Sequence, residues 1–174
     1  MNTFYVILDN LFNLMILSDH NRIERTVRRM AYQIVEEAHG KQIQLIGLNE
    51  RGFALAEQLS RFIKKGSDSP VYSQQLWAHS DDLFSLTQPV NENTVLVIVD
   101  DVIFTGETIL KGLDKISERE RFDKIFVSVL VDRGHRKYPI QAAVIGMNIP
   151  TKLNEQITVS LKNGTTDSIV LTES

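Results

Sequence analysis

Fifteen consecutive residues decide the fold, and they read Thr94-Val95-Leu96-Val97-Ile98-Val99-Asp100-Asp101-Val102-Ile103-Phe104-Thr105-Gly106-Glu107-Thr108. The run from Thr94 to Val99 is apolar and rich in β-branched residues, which is typical of a strand buried on both faces of a parallel sheet. Two aspartates and a loop with two threonines and a glycine follow, and a helical pattern extends from about Gly106 to Ser117. The stretch therefore predicts a strand, a loop and a helix in succession.

The same alternation continues on both sides of this unit. Ser18 or Asp19 can cap an amphipathic helix that runs to about His39 and stops at Gly40. Further strands are predicted at residues 42–48, 71–77, 124–131 and 142–146, a helix after residue 52, and a closing hairpin at 156–161 and 168–171. Strands that alternate with helices predict an α/β fold with a doubly wound, mainly parallel sheet.

The composition is that of a globular protein and predicts a single domain over residues 1–174. Hydrophobic residues make up 43% of the chain and charged residues 24%, so a packed core is expected. The net charge of −3 gives no argument for general nucleic-acid binding. The chain has no cysteine, which excludes disulfides and thiolate metal sites, and we expect a cytoplasmic location.

The N-terminal run from Phe4 to Leu17 is apolar but is interrupted by Asp9, Asn10 and Asn13. It lacks a basic flank and is too short to span a bilayer, so no membrane partner is expected. Two interpretations stay open. The run forms a helix or strand that packs on the domain or on a partner chain, or the start is assigned too early and Met15 is the natural start.

The segment after Val99 carries a predicted binding site, because ligands of open α/β sheets lie at the carboxyl ends of the strands. Backbone amides at the start of a helix can hold a terminal phosphate, and residues 103–108 are placed to do so. Asp100 and Asp101 would repel a phosphate, so they suit sugar hydroxyls or, through water, a hydrated cation. A ribose phosphate offers both groups.

An Asp-Asp turn followed by threonine helix caps is the structural alternative for the same residues. A P-loop is excluded, because the segment has no Gly-Lys-Ser/Thr ending.

The chain resembles a known family at several separate motifs. Residues 97–108 resemble the phosphoribosyl pyrophosphate motif of type I phosphoribosyltransferases, and residues 46–52 (IGLNERG) resemble that family's pyrophosphate loop. Residues 129–140 (VLVDRGHRKYPI) and 146–151 (GMNIPT) resemble the branch of bifunctional pyrimidine-operon attenuation regulators and uracil phosphoribosyltransferases. The resemblance covers about Ile16 to Leu161, leaves an apolar extension at 1–15 outside it, and implies a small C-terminal hood.

The resemblance implies that uracil displaces pyrophosphate from phosphoribosyl pyrophosphate to give uridine monophosphate, with Mg²⁺ as cofactor. Asp100, Asp101 and Arg51 are the implied catalytic residues, and the two aspartates contact the metal, if at all, through water. The residues implied to bind ribose, 5-phosphate, diphosphate or base are Asn49, Glu50, Arg51, Gly52, Asp100, Asp101, Ile103, Phe104, Thr105, Gly106, Glu107, Thr108, Asp132, Arg133 and Ile149.

Three departures from the family pattern bear on catalysis. Residues 78–92 are shorter than the family's mobile lid, and the stretch before Asp81 has no arginine, although His79 could replace that cation when protonated or could be an ordinary loop histidine. Glu50 replaces a neutral hydroxyl residue beside the diphosphate. Lys162 stands where an acid is expected, and an ammonium group cannot ligate a metal. A shortened lid threatens the rate more than the binding.

Three functions remain compatible with these residues. The first is a phosphoribosyltransferase for a nucleobase, for which the resemblance implies uracil, while Asp132, which could accept a ring N–H, favours a pyrimidine over an oxopurine. The second is a regulatory protein that binds uridine nucleotides and RNA, and the third is a binding-only relative with a degraded site. The basic face for RNA would comprise Arg22, Arg25, Arg28, Arg29, Arg133, His135, Arg136 and Lys137. The family and the apolar N-terminal run predict a homodimer or a larger assembly.

Overall fold

A computed structural model describes residues 14–173. Within this range the strands are β1 (Leu14–Ser18), β2 (Gln42–Leu48), β3 (Val71–Leu76), β4 (Thr94–Ile103), β5 (Lys124–Asp132), β6 (Val144–Asn148), β7 (Glu155–Lys162) and β8 (Thr165–Glu173). The helices are α1 (His20–Ala38), α2 (Asn49–Gly66) and α3 (Glu107–Lys115), and a short 3₁₀ turn lies at Arg119–Arg121. None of these helices is long and apolar enough to cross a membrane.

The main sheet has five parallel strands in the order β3-β2-β4-β5-β6, which confirms the predicted α/β class. β4 lies at its centre, and its residues from Val95 to Val99 are buried. One core lies between this sheet and the helices α1 and α2, and a second core lies on the opposite face with α3 and the segment at residues 78–90. The sheet is therefore covered on both faces, as its continuous apolar strands require.

The strand order places a crevice between β2 and β4. The chain leaves β2 toward β3 on one side and then returns to form β4 on the other side. Connections that diverge from two neighbouring parallel strands leave a gap at the carboxyl ends of those strands, where α/β proteins bind ligands. The start of α2 and the loop before α3 both open onto this gap.

A second, smaller sheet has the order β1-β8-β7 and is antiparallel. Its inward residues Ile157, Val159 and Ile169 join the core that contains α1 and α2. Asn163 and Gly164 both have positive φ angles, of 52° and 72°, and form the two-residue turn that the sequence predicts between β7 and β8. The sheet corresponds to the expected hood. The described part of the apolar N-terminal run forms β1, and residues 1–13 lie outside the described residues.

Two predicted boundaries were wrong. β4 continues beyond Val99 to Ile103, because both aspartates belong to the strand that pairs with β5, with Asp100 opposite Val129. α2 begins at Asn49 directly after β2, without the predicted loop. Asn49 makes this sharp change of direction at a φ of 54°, a conformation that asparagine tolerates better than most residues.

A close backbone contact fixes the junction of β2 and α2. A Cβ atom on Gly47 would lie 2.3 Å from Phe53 Cα and 2.7 Å from Gly52 O. Both atoms belong to the backbone, so no side-chain movement can relieve the contact. Gly47 therefore lets the first turn of α2 lie directly against the end of β2.

Replacing Gly47 by alanine is expected to lower the free energy of unfolding by about 3 kcal/mol, because the helix start must move away from the sheet. Gly40→Ala is the control, since Gly40 has a φ of 79° and no atom lies within 4 Å of the place that its new methyl group would take. It introduces only the strain of a left-handed residue, about 1 kcal/mol. Urea denaturation measures both values, and equal losses would contradict the steric explanation.

Candidate active site

The first turn of α2 lies against the end of β4. A Cβ atom on Gly52 would stand 2.6 Å from Val99 O and 3.2 Å from Asp100 Oδ1, so only glycine fits at this position. This approach brings the start of α2 to the aspartate pair of β4. Residues 49–52 and residues 100–101, far apart in sequence, thus share one side of the crevice.

The two aspartates are held in a largely dry environment. Asp100 is buried, and its Oδ1 accepts a hydrogen bond of 3.1 Å from the Asp101 backbone N–H. Burial raises the pKa of the Asp100 carboxyl well above its usual range, and the adjacent Asp101 charge raises it further. Burial also raises the pKa of Asp101, against the opposing effect of the Arg51 guanidinium. Arg51 is therefore a cation that acts on Asp101.

A cavity of about 150 Å³ follows the aspartates at the start of α3. It is lined by Asp100 and by residues 102–109, which include all the residues predicted to cradle a phosphate. Gly106 turns the chain into α3 with a φ of 86°, and Thr105 Oγ1 accepts a hydrogen bond of 3.3 Å from the Glu107 N–H. The arrangement joins a buried carboxylate to the amides that open a helix.

The residues predicted to border a base come together beside this cavity. The Arg133 guanidinium lies 4.1 Å from the centre of the Phe104 ring and donates from Nε to Thr151 Oγ1 at 2.9 Å. Burial lowers the pKa of Arg133. The Ile149 N–H donates to Asp132 O at 2.8 Å, which ties residue 149 to the end of β5.

The Asp132 carboxylate accepts two hydrogen bonds from the chain around it. It accepts from the Gly134 N–H at 2.9 Å and from Arg136 Nη2 at 2.6 Å. Each carboxylate oxygen thus accepts one hydrogen bond from the chain itself and keeps a second lone pair, so the role of Asp132 beside a base stays a prediction. The sequence did not reveal the Asp132–Arg136 pair, because Arg136 was assigned to an exposed basic face.

The predicted basic face is only partly exposed. Arg133 is buried, Arg136 is bonded inside the molecule, and Arg29 donates to the carbonyls of Ile145 and Gly146. His135 Nε2 lies 2.7 Å from Thr151 O, which can only accept, so this nitrogen carries a proton. The buried Arg133 is therefore not an exposed member of the proposed set of eight side chains. Arg22, Arg25, Arg28 and Lys137 are its exposed members whose side chains make no hydrogen bond to a backbone carbonyl.

The segment at residues 78–90 is bonded to the main body along its length. The Ala78 N–H donates to Asn49 Oδ1 at 3.1 Å, and Lys115 Nζ donates to Ser80 Oγ at 3.2 Å and to Asp82 O. The side chains of Gln74, Gln42 and Arg121 hold Ser85, Pro89 and Val90 in turn. Asn49 is therefore an anchor of this segment, a contact that the sequence did not indicate.

The remaining departures from the family pattern lie at exposed positions. Glu50 and Lys162 are exposed, and Lys162 lies at the end of β7 beside the hairpin turn. His79 Nδ1 accepts a hydrogen bond of 3.4 Å from Lys111 Nζ, and Lys111 also pairs with Glu107 at 2.9 Å. Lys111 therefore places an ammonium group beside His79 at this end of the segment.

The sequence pattern of the family described as "Phosphoribosyl transferase domain" matches residues 14–160. The chain belongs to the phosphoribosyltransferase family. Its relatives include a "Bifunctional protein PyrR" of Clostridium perfringens, 38% identical over 171 residues that cover 90% of this chain and 96% of the relative. A protein of the same name from Pelotomaculum thermopropionicum is 38% identical over 83% of this chain and 87% of its own.

Solved structures of phosphoribosyltransferases share the fold. A hypoxanthine phosphoribosyltransferase of Trypanosoma cruzi superposes with a TM-score of 0.71, at 19% identity, over 91% of this chain and 95% of that chain. A structure of a T. cruzi hypoxanthine phosphoribosyltransferase with the product IMP has a TM-score of 0.65, at 21% identity, over 78% of this chain and 76% of that chain. At such identities the likeness establishes the fold.

Replacing Asp100 by asparagine is expected to stabilise this phosphoribosyltransferase by about 1 kcal/mol near pH 7, at the expense of ligand binding. The raised pKa means that the folded state favours the protonated carboxyl. The contribution of Asp100 to wild-type stability is therefore fully present below its unfolded-state pKa, about 3.9, and is lost as pH rises through the raised folded-state pKa. Asparagine removes that loss, because it carries no charge.

Urea denaturation of both proteins between pH 3 and pH 7 measures the difference. The gain should shrink as the pH falls, since the wild-type carboxyl is then protonated in both states. A gain that stays constant across this range, or a loss at pH 7, would contradict the burial argument.

Proposed function

We propose that the chain transfers a 5-phosphoribosyl group from phosphoribosyl pyrophosphate to a nucleobase, with uracil as the first candidate, and releases pyrophosphate. One observation carries the proposal. A buried carboxylate pair, a phosphate-sized cavity at the start of α3 and the start of α2 converge on one crevice. These are the partners that ribose hydroxyls, a 5-phosphate and a diphosphate need.

The ribose phosphate would span the cavity. Residues 104–108 would hold the 5-phosphate with amides at the opening of α3, where the helix dipole favours an anion. Asp100 and Asp101 would accept hydrogen bonds from the ribose hydroxyls. The dry surroundings of the two carboxyls strengthen such bonds, because charge is poorly screened there.

The diphosphate would lie at the start of α2. Residues 49–52 open this helix, and the Arg51 guanidinium can neutralise the charge that develops as pyrophosphate leaves. The two adjacent carboxylates are oxygen donors of the kind that Mg²⁺ accepts when phosphates and water supply most of its ligands. Bound in this way, Mg²⁺ would neutralise the diphosphate. Among residues 14–173, no three His, Asp or Glu side chains form a metal cluster.

Uracil is proposed on the resemblance of residues 129–140 and 146–151 to the uracil branch of the family. Arg133, stacked on Phe104, and Ile149 would border the base. The 78–90 segment would act as a fixed wall beside the reaction centre, because side-chain bonds hold it at both ends and in the middle. A fixed wall excludes water less well than a closing lid does. The catalytic rate kcat should therefore be reduced more than the affinity for the substrate.

The transferase activity is tested with phosphoribosyl pyrophosphate, Mg²⁺ and each nucleobase, by measuring pyrophosphate release. Uracil should give uridine monophosphate. Arg51→Met should lower kcat/KM by about 10²-fold, because a preorganised cation for the leaving group is lost. Arg61→Met is the matched control, since Arg61 is an exposed arginine farther along α2. It should leave the rate unchanged.

The outcomes separate the competing functions. Silence with every base, together with a raised melting temperature in ribose 5-phosphate or uridine monophosphate, would indicate a nucleotide-binding protein without transfer activity. If no base gives pyrophosphate release and neither ligand raises the melting temperature, both the transferase function and the nucleotide-binding function are contradicted. An equal loss of rate in the Arg51 and Arg61 variants would remove Arg51 from the site.

A regulatory RNA-binding activity is the second candidate, because relatives at 38% identity carry the name "Bifunctional protein PyrR". RNA attraction would rest on exposed cations such as Arg22 and Arg25 of α1. An RNA hairpin from a leader transcript should then bind with an affinity that falls steeply as the salt concentration rises. The double variant Arg22→Gln, Arg25→Gln should reduce the slope of log affinity against log salt concentration by about 2. A gel-retardation assay at low salt that shows no complex would contradict it.

We also propose assembly into a homodimer or a larger oligomer. Leu14, Met15 and Ile16 of the edge strand β1 are all more than half exposed, at 51%, 59% and 64%. Three adjacent apolar side chains on an edge strand favour association with another copy.

A further inference from the structure

The Arg136 side chain is hydrogen-bonded to several groups of the chain around the cavity. Its Nη1 donates to Phe104 O at 2.8 Å and to Gly134 O at 3.2 Å. Its Nε donates to Ile140 O at 3.0 Å, and its Nη2 pairs with Asp132 Oδ2 at 2.6 Å. The side chain is 22% exposed, so these contacts are largely shielded from water.

The bond to Phe104 O fixes the orientation of a peptide plane. In a trans peptide the C=O and the following N–H point in opposite directions. Because the Phe104 C=O points to Arg136, the Thr105 N–H must point away from Arg136. Thr105 lines the phosphate-sized cavity, whereas Arg136 does not.

The peptide between Thr105 and Gly106 is held in the same orientation. Thr105 O accepts hydrogen bonds of 3.1 Å from the N–H groups of both Lys137 and Tyr138. The Gly106 N–H therefore also points away from residues 136–138. Of the residues that the structure describes, none accepts a hydrogen bond from the N–H of Thr105 or Gly106. Two neighbouring amides are thus free and turned to the same side.

We propose that Arg136 is a positioning residue for the 5-phosphate. By holding the Phe104 carbonyl, it turns the Thr105 and Gly106 amides into the cavity, where they donate to phosphate oxygens. Asp132 fixes the guanidinium in this orientation and so links the end of β5 to the phosphate loop, which comprises residues 103–108 of the cavity lining. The inference rests on the proposed function, because it assumes that the cavity binds a phosphate.

Arginine is required for this arrangement. Its planar group presents five N–H donors in a fixed geometry, and here they reach three carbonyls and one carboxylate in different directions. A lysine keeps the charge but has a single ammonium group, so it cannot maintain the same set. Arg136→Lys therefore separates the geometry of the guanidinium from its charge.

The test measures the affinity of ribose 5-phosphate and of pyrophosphate with Mg²⁺ by isothermal titration calorimetry. Pyrophosphate is the internal control, because it should bind at residues 49–52 and not at the loop before α3. Arg29→Lys is the matched variant, since Arg29 also donates to two backbone carbonyls, those of Ile145 and Gly146. Thermal unfolding of each variant without ligand reports any general loss of stability.

Arg136→Lys should weaken ribose 5-phosphate binding at least about tenfold and change pyrophosphate affinity by less than about twofold. Arg29→Lys should change neither affinity, even if it lowers the melting temperature. Equal weakening of both ligands in Arg136→Lys, or no weakening of ribose 5-phosphate, would overturn the positioning role. Wild-type protein that binds pyrophosphate but not ribose 5-phosphate would overturn the proposed function as well.

A second variant covers the case in which Arg136→Lys does not fold. Asp132→Asn keeps the guanidinium bonds to the carbonyls but removes the charge that orients it. It should weaken ribose 5-phosphate binding about threefold or more, again without an effect on pyrophosphate, because the loss of one charge-assisted hydrogen bond loosens the guanidinium. Unchanged affinity for ribose 5-phosphate in folded Asp132→Asn would contradict the link between Asp132 and the phosphate loop.

Discussion

The contact between Gly52 and the end of β4 is the constraint on which the site depends. With no room for a Cβ atom, the start of α2 touches Val99 O and the Asp100 side chain. The parallel pairing of β2 with β4 makes this contact possible, because both strands end at the same edge of the sheet. As a result, Arg51 acts on Asp101 although about fifty residues separate them in the chain.

Burying two neighbouring carboxyls works against folding, and the raised pKa of each is the sign of that cost. A protein under selection for stability alone would have apolar residues at the end of β4. The surrounding structure offsets the cost with a five-stranded sheet covered on both faces. Strained or destabilised arrangements of this kind are common where a site must bind a ligand.

Much of the fold could be predicted from local sequence patterns. The β-branched run before Asp100 indicates a buried strand, Asp19 caps α1 as expected by accepting from the Arg22 N–H, and Asn163-Gly164 forms its hairpin turn. The phosphate loop was also predictable, because its residues are contiguous. The inward position of Arg136 could not be predicted, since it depends on the Phe104 carbonyl, 32 residues away in the chain. Nor does a local pattern show that β4 continues through its aspartates, because pairing with β5 decides it.

β1 pairs with β8, so the first described strand along the chain is completed by the last, with Leu14 opposite Thr172. During synthesis β1 leaves the ribosome before β8, so the strand edge that pairs with β8 is at first without its partner. This edge can be paired only after β8 has been synthesised. The five-stranded sheet has no such requirement, because its strands lie between β1 and β8 in sequence. Closure of the small sheet is therefore expected to be a late event, and the interval before it is when nascent chains are most exposed to association.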